Sequence, residues 1–417
     1  MKALRFLASR WVLSFVGVAI LAALVWFFGP LLPLLEGWVV RLVVILCLLA
    51  IWAAANVALD FNRRRRERKL ESGVTEKAAD EENNRTSEEA AALRDRMSTA
   101  LSLLKKARGT RGYLYEQPWY VIIGPPGAGK TTALLNSGLK FPLAAEMGQG
   151  AVAGVGGTRL CDWWFTENAV LIDTAGRYTT QDSNAAVDRA GWDAFLDLLR
   201  RTRPRQPLNG VIVAIALSDI ASAPNDERVA HARAVRRRVK ELEERLSIRL
   251  PVYLLFTKSD LIAGFAEFFD DLDRDRREQV WGVTFPFGKA ATTPVGQFPD
   301  ELQLLVDSLN DRLFDRLQAE QSPDRRALIA GFPTQIASLA QPLQAFLTEA
   351  FGGSRLDPAP LLRGVYFASG TQEGSPIDRL TGVMMRAFGV EQRRAAALRP
   401  VQWCSYFLGH LVSRVIF

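Results

Sequence analysis

Apolar and polar positions divide the chain into four regions of different texture. Residues 11–28, WVLSFVGVAILAALVWFF, carry no charge, and residues 38–59, WVVRLVVILCLLAIWAAANVAL, carry only Arg41. About 20 apolar residues cover the ~30 Å hydrocarbon core of a bilayer, so each run predicts a membrane-crossing helix. The join, GPLLPLLEG, is short and contains Gly29, Pro30 and Pro33, so residues 1–60 are expected to form a transmembrane helical hairpin. From 72 to 108 the chain is polar and mixed in charge, but Leu93, Met97, Ala100, Leu101 and Leu104 recur at helical spacing. Residues 61–112 thus read as a basic juxtamembrane segment and a linker helix. Short apolar blocks then alternate with amphipathic stretches: WYVII, AVLI, GVIVAIA and PVYLLFT are each followed by a helical pattern. That alternation predicts an α/β domain with a mostly parallel sheet over 113–290. Beyond it, 302–317 and 326–351 have helical spacing, which gives a helical lobe over 291–400 with a returning strand near 364–369.

Charge sets the orientation. Lys2, Arg5 and Arg10 precede the first run, and NRRRRERK (62–69) follows the second. The positive-inside rule then puts the N-terminus and everything after residue 60 in the cytoplasm. A cleaved signal peptide does not suit the first run, which is long, lacks a small-x-small cleavage site and leads directly into a second span. Beside a membrane, the arginine cluster is expected to face anionic lipid, so the bilayer and not nucleic acid is the expected partner of this charge. The net charge of +7 is modest, and 417 residues leave room for about two or three domains. Three separated cysteines and two histidines fit no disulfide framework and no zinc or haem site.

The candidate chemistry lies in the α/β region. Gly124 to Thr131, GPPGAGKT, fits G-x-x-x-x-G-K-[ST] between a short strand and a helical stretch. Pro125 and Pro126 have no N–H to offer. The main-chain cradle for phosphates is therefore expected from Gly127 through Ala128, Gly129, Lys130, Thr131 and Thr132. Lys130 is expected at the β- and γ-phosphates and the Thr131 hydroxyl on Mg²⁺. A second strand ends in Asp173-Thr174-Ala175-Gly176, a D-x-x-G pattern in which Asp173 holds Mg²⁺ through water and the Gly176 N–H meets the γ-phosphate. Thr158, in the glycine-rich loop that precedes the strand in GGTRLCDWWFTEN, is the candidate third contributor to the magnesium shell. A third strand runs into Thr257-Lys258-Ser259-Asp260, which fits [NT]-K-x-D. An aspartate there accepts from guanine N1–H and N2–H₂, donors that adenine lacks, so GTP is favoured over ATP. The competing role for Asp260 is to cap a following helix. A further base-contacting loop is expected after VWGVTF or after GVYFAS, near Ser369 and Gly370; the sequence leaves both open.

Together, GPPGAGKTTALLNSGLKFPL, GTRLCDWWFTENAVLIDTAGRYTTQDS, FTKSDLIAGFAEFF, VWGVTFPF and RGVYFASGTQEG resemble the IcmF/TssM family of type VI secretion inner-membrane proteins. The resemblance covers nearly the whole chain. It implies a bacterial inner-membrane, multi-pass scaffold with a small-GTPase-like P-loop NTPase domain in the cytoplasm. It also implies a third membrane segment beginning within 401–417 and self-association in a membrane complex. Implied partners are a DotU/TssL-like inner-membrane protein and a TssJ-like lipoprotein, the latter through a periplasmic part. Two rivals are an NTPase that energises assembly and a targeting GTPase of the signal-recognition type, which also reads DTAGR and TKxD. Candidate catalytic residues are Lys130, Arg177, which replaces the usual water-positioning glutamine after D-x-x-G, and Gln181. Slow intrinsic hydrolysis is the expected result.

Overall fold

The structure, a computed structural model, describes residues 87–106, 114–142, 160–181, 185–287, 293–354, 357–370 and 404–417, together with parts of 17–28 and 37–54. It divides into two units, Met1–Asn84 and Arg85–Phe417. In the first, the described residues are helical over 42–54 and at several positions of 17–28, and Phe27, Phe28 and Val43 are exposed. Among the described residues no helix is long and apolar enough to cross a membrane. Much of the two apolar runs lies outside them.

The second unit opens with helix α1 (87–106), whose Leu93, Met97, Ala100 and Leu104 are buried, as their spacing predicts. The sheet that follows has seven strands in the order β2-β3-β1-β4-β5-β7-β6. These are β1 (Trp119–Ile123), β2 (Cys161–Phe165), β3 (Val170–Thr174), β4 (Gly210–Ala216), β5 (Pro251–Thr257), β6 (Gly282–Thr284) and β7 (Leu361–Phe367). The edge strands β2 and β6 run antiparallel to their neighbours; the central pairs are parallel. Every residue of β1, β3 and β4 is buried, the pattern of strands covered on both faces. Successive side chains of β1 alternate between two cores: Val121 and Ile123 face one, Tyr120 and Ile122 the other.

The first core is closed by α1, α4 (Ala185–Thr202), α6 (Asn225–Leu246) and a helical lobe. The second is closed by α2 (Lys130–Leu135) and by residues 404–417. Two short helices, α3 (Gly176–Thr180) and α5 (Leu217–Ser222), follow β3 and β4 directly. Two more, α7 (Phe265–Phe269) and α8 (Arg274–Arg277), lie between β5 and β6. The lobe, α9 (Pro294–Ala319), α10 (Pro323–Ala337) and α11 (Ala340–Phe351), is inserted between β6 and β7. The sequence predicts one helix over 326–351, but the chain breaks at Ser338–Leu339. Pro342 has no N–H to give to the Ser338 carbonyl, so a continuous helix loses a bond there, whereas a new first turn tolerates proline.

Residues 404–417 pack on the sheet. Ser369 and Tyr406 form an antiparallel bridge, and Leu411–Ile416 form a short π-helix with Leu411 and Ile416 buried. The Tyr120 hydroxyl donates to the Ile416 carbonyl at 2.5 Å, and its ring stacks on Phe417 at 5.3 Å. Burial raises the Tyr120 phenol to about 12, so it stays a donor at physiological pH. Phe407 joins an aromatic cluster, with ring centroids 5.1 Å from Phe269, 5.4 Å from Trp281 and 6.3 Å from Phe265. Phe268 and Phe332 complete it.

Candidate nucleotide site

The site residues gather at the C-terminal ends of the parallel strands, where open α/β sheets leave a crevice. β1 passes into the 124–129 loop, and α2 begins at Lys130 with Gly129 as its N-cap at φ 73°, the left-handed region that an L side chain rarely adopts. The Lys130 side chain turns back along the loop, and its Nζ donates to the Gly124 carbonyl at 2.9 Å and the Pro125 carbonyl at 3.0 Å. Burial lowers the Lys130 ammonium to about 8, partly opposed by Asp173. The Thr131 hydroxyl donates to Asp173 Oδ2 at 2.5 Å, joining the two predicted magnesium residues. Asp173 and Lys130 are both buried.

Behind this pair, Gly176 opens α3 against the loop: a Cβ there would lie 2.4 Å from the Pro126 nitrogen. The Thr179 hydroxyl accepts from the Gly124 N–H at 3.0 Å, a support that no sequence motif marks. Arg177 turns to two carboxylates, Glu89 at 2.6 Å and Asp188 at 2.5 Å. Gln181 ends α3 at φ 57°, and its side-chain nitrogen is buried with no hydrogen-bond partner among the described residues. Thr158 lies outside the described residues.

The base end is assembled from more distant segments. The Thr257 hydroxyl donates to the Ala128 carbonyl at 2.6 Å and so fastens the TKSD segment to the phosphate loop. Asp260 is fully buried in the 3-10 turn Ser259–Leu261. It caps no helix: the next one, α7, has Gly264 as its N-cap. The Ser369 hydroxyl donates to Asp260 Oδ1 at 2.7 Å. Of the two loops left open by the sequence, the one after GVYFAS therefore reaches Asp260, because β7 lies beside β5 while β6 lies beyond β7 at the edge. A small cleft between Thr132, Lys258 and Gly370 also takes in Leu408 from the C-terminal segment.

These groups suit a triphosphate and Mg²⁺. A hydroxyl and a carboxylate in contact are hard oxygen donors, and Mg²⁺ commonly takes one or two such protein ligands beside water and phosphate oxygens. Among the described residues no group of three or more His, Cys, Asp or Glu could hold a metal ion by itself.

Residues 185–417 match the IcmF-related N-terminal domain family. The chain is 54% identical over 337 residues to the Type VI secretion system component TssM1 of Pseudomonas aeruginosa strain PAO1, covering 80% of this chain and 30% of that protein. Among solved structures it is similar to the signal recognition particle receptor SRb-GTP/SRX complex from Chaetomium thermophilum. That likeness has 21% identity, covers 34% of this chain and 70% of that one, and has a TM-score of 0.23, too distant to inform the site. The family match spans more than half of the chain and includes β4, β5, β7 and Ser369, and with the TssM1 identity it decides the kinship: the chain belongs to the IcmF/TssM family of type VI secretion components.

Proposed function

We propose that this chain is an inner-membrane scaffold subunit of a type VI secretion membrane complex, with a P-loop domain that binds a nucleoside triphosphate and Mg²⁺. GTP is the preferred ligand over ATP. The observation that carries this is the meeting of Lys130, the Thr131–Asp173 pair and the Asp260–Ser369 pair at one end of the sheet. A buried ammonium whose hydrogen bonds among the described residues go to carbonyls gains from an incoming polyanion, and Asp260, oriented by the Ser369 hydroxyl, would accept from a guanine edge. Residues Gly127 to Thr132 would supply main-chain amides and Thr131 with Asp173 would hold the metal, which in turn neutralises phosphate charge. Arg177 is engaged by Glu89 and Asp188, which supports a binding and switching role with slow turnover.

The two apolar runs would anchor the N-terminus as a hairpin, with the α/β domain in the cytoplasm. A DotU/TssL-like membrane protein, a TssJ-like lipoprotein and further copies of the chain are the proposed partners. The lipoprotein is proposed to meet a periplasmic part of the protein; the present chain spans 30% of TssM1.

The test is a fluorescent-GTP titration of the full chain in lipid nanodiscs. Lys130→Ala is expected to weaken binding at least about 30-fold, the scale of truncating one partner of a buried charge pair. Unchanged affinity overturns the phosphate-loop assignment. Secretion that survives Lys130→Ala would favour a purely structural scaffold.

A further inference from the structure

Helix α1 lies between the N-terminal segment and the nucleotide domain in sequence, and it grips the domain at two places. Its Glu89 carboxylate pairs with Arg177 at 2.6 Å and accepts from the Tyr178 hydroxyl, so it holds the two residues immediately after D-x-x-G. The contact is largely shielded: the Glu89 and Asp188 side chains are 9% and 1% exposed. It also depends on Gly191 of α4, where a Cβ would lie 2.5 Å from Glu89 Oε1, so an added side chain would displace the carboxylate. About two turns along α1, Arg96 pairs with Asp162 and donates to the Cys161 carbonyl at 3.4 Å. Asp162 is the cross-strand partner of Asp173 in the β2–β3 ladder. Both polar ties thus end on the strand hairpin and loop that carry Asp173 and Gly176.

From this geometry we infer that α1 is the output element of the nucleotide site, with Glu89 as a positioning residue that passes the state of the Gly176–Tyr178 segment to the helix through Arg177. The inference rests on the nucleotide reading above. Gly176 abuts Pro126, so a ligand that moves the phosphate loop or draws the Gly176 N–H shifts the base of the Arg177 side chain. Arg177 is clamped by a carboxylate from α1 and another from α4, so that shift must load one or break the other. A bidentate-capable guanidinium between two near-buried carboxylates has few intermediate arrangements, which favours two discrete states over a graded response.

The experiment is hydrogen exchange on the full chain in nanodiscs, with and without a non-hydrolysable GTP analogue and Mg²⁺. In the wild type, ligand is expected to change amide exchange across 87–106 by at least about threefold. In Glu89→Gln, which keeps a hydrogen-bonding group of the same size, that response is expected to vanish while analogue affinity stays within about threefold. Arg96→Gln, at a side chain 45% exposed, removes the second tie without burying a new group and is expected to reduce the response. A thermal melt of each variant separates a folding defect from uncoupling. Analogue binding with unchanged 87–106 exchange in the wild type, or a full response in Glu89→Gln, overturns the inference and leaves the nucleotide reading intact. A wild type that binds no analogue overturns both.

Discussion

The phosphate end and the base end of the site are built differently. The first uses two short contiguous segments, 124–132 and 173–179, whose groups contact each other directly: Lys130 on loop carbonyls, Thr131 on Asp173, Gly176 against Pro126 and Thr179 on Gly124. The second draws on 257–260, 368–370 and 408, which meet only because β7 returns beside β5 after the whole helical lobe. Local contacts within a motif fix where charge is held. Long-range packing assembles the groups proposed to contact the base.

The most damaging way to break the phosphate end is to separate its two segments. Gly176→Ala puts a methyl group against Pro126 main-chain atoms, 2.4 Å from its nitrogen, and neither backbone can retreat cheaply. Overpacking of this kind costs about 1–3 kcal/mol, so GTP affinity by titration is expected to fall up to about 100-fold, with both bases affected alike.

A milder perturbation is pH. Lys130 is lowered to about 8 by burial from its ordinary 10.5, so in the unliganded fold it is charged below about pH 8 and neutral above. Unfolding restores the ordinary value. The unfolded chain therefore binds more protons between about pH 8 and 10.5, and this group's contribution makes the unliganded fold more stable as pH rises through that window. A bound polyanion favours the charged form, so binding takes up a proton above pH 8. Affinity is expected to fall about tenfold between pH 7 and 9, with proton uptake seen by calorimetry in buffers of different ionisation heat. A flat profile would mean that Lys130 does not meet the phosphates.

The base end should respond selectively. Asp260→Asn is expected to move preference from guanosine towards xanthosine nucleotides by about tenfold, because a carboxylate acceptor becomes a donor. Ser369→Ala removes the hydroxyl that orients Asp260 and should weaken GTP only about threefold while preserving preference. Competition assays with GTP, ATP and XTP distinguish these outcomes. If Asp260→Asn altered all nucleotides equally, the contrast between the two ends would be lost.

Much of this was readable in the residues. GPPGAGKT, DTAG and TKSD each sit at a strand end, and the structure brings the three segments to one end of the sheet, as their order along the chain predicts. The choice between the loops after VWGVTF and GVYFAS required strand order, which depends on how the lobe between them packs and not on either segment. Glu89 and Asp188 were invisible for a related reason: an acidic residue on a helix face reads as solvated until tertiary packing brings an arginine to it. The single helix predicted over 326–351 breaks at Ser338–Leu339, one turn before Pro342, because apolar spacing continued through a residue that cannot donate to Ser338. Residues 404–417 carry apolar side chains that a membrane or a protein face could equally cover, and here Tyr120 and its neighbours cover them.

The aromatic cluster has a consequence for evolution of the site. Phe407 is wedged among rings of α7 and the Trp281 segment, and Leu408 beside it lines the cleft near Lys258. A substitution in the lobe at Phe332, far outside any motif, would therefore reach Phe407 and the cleft wall at Leu408 through the ring of Phe269. The shape of that cleft can drift without a single change in the recognised signature residues.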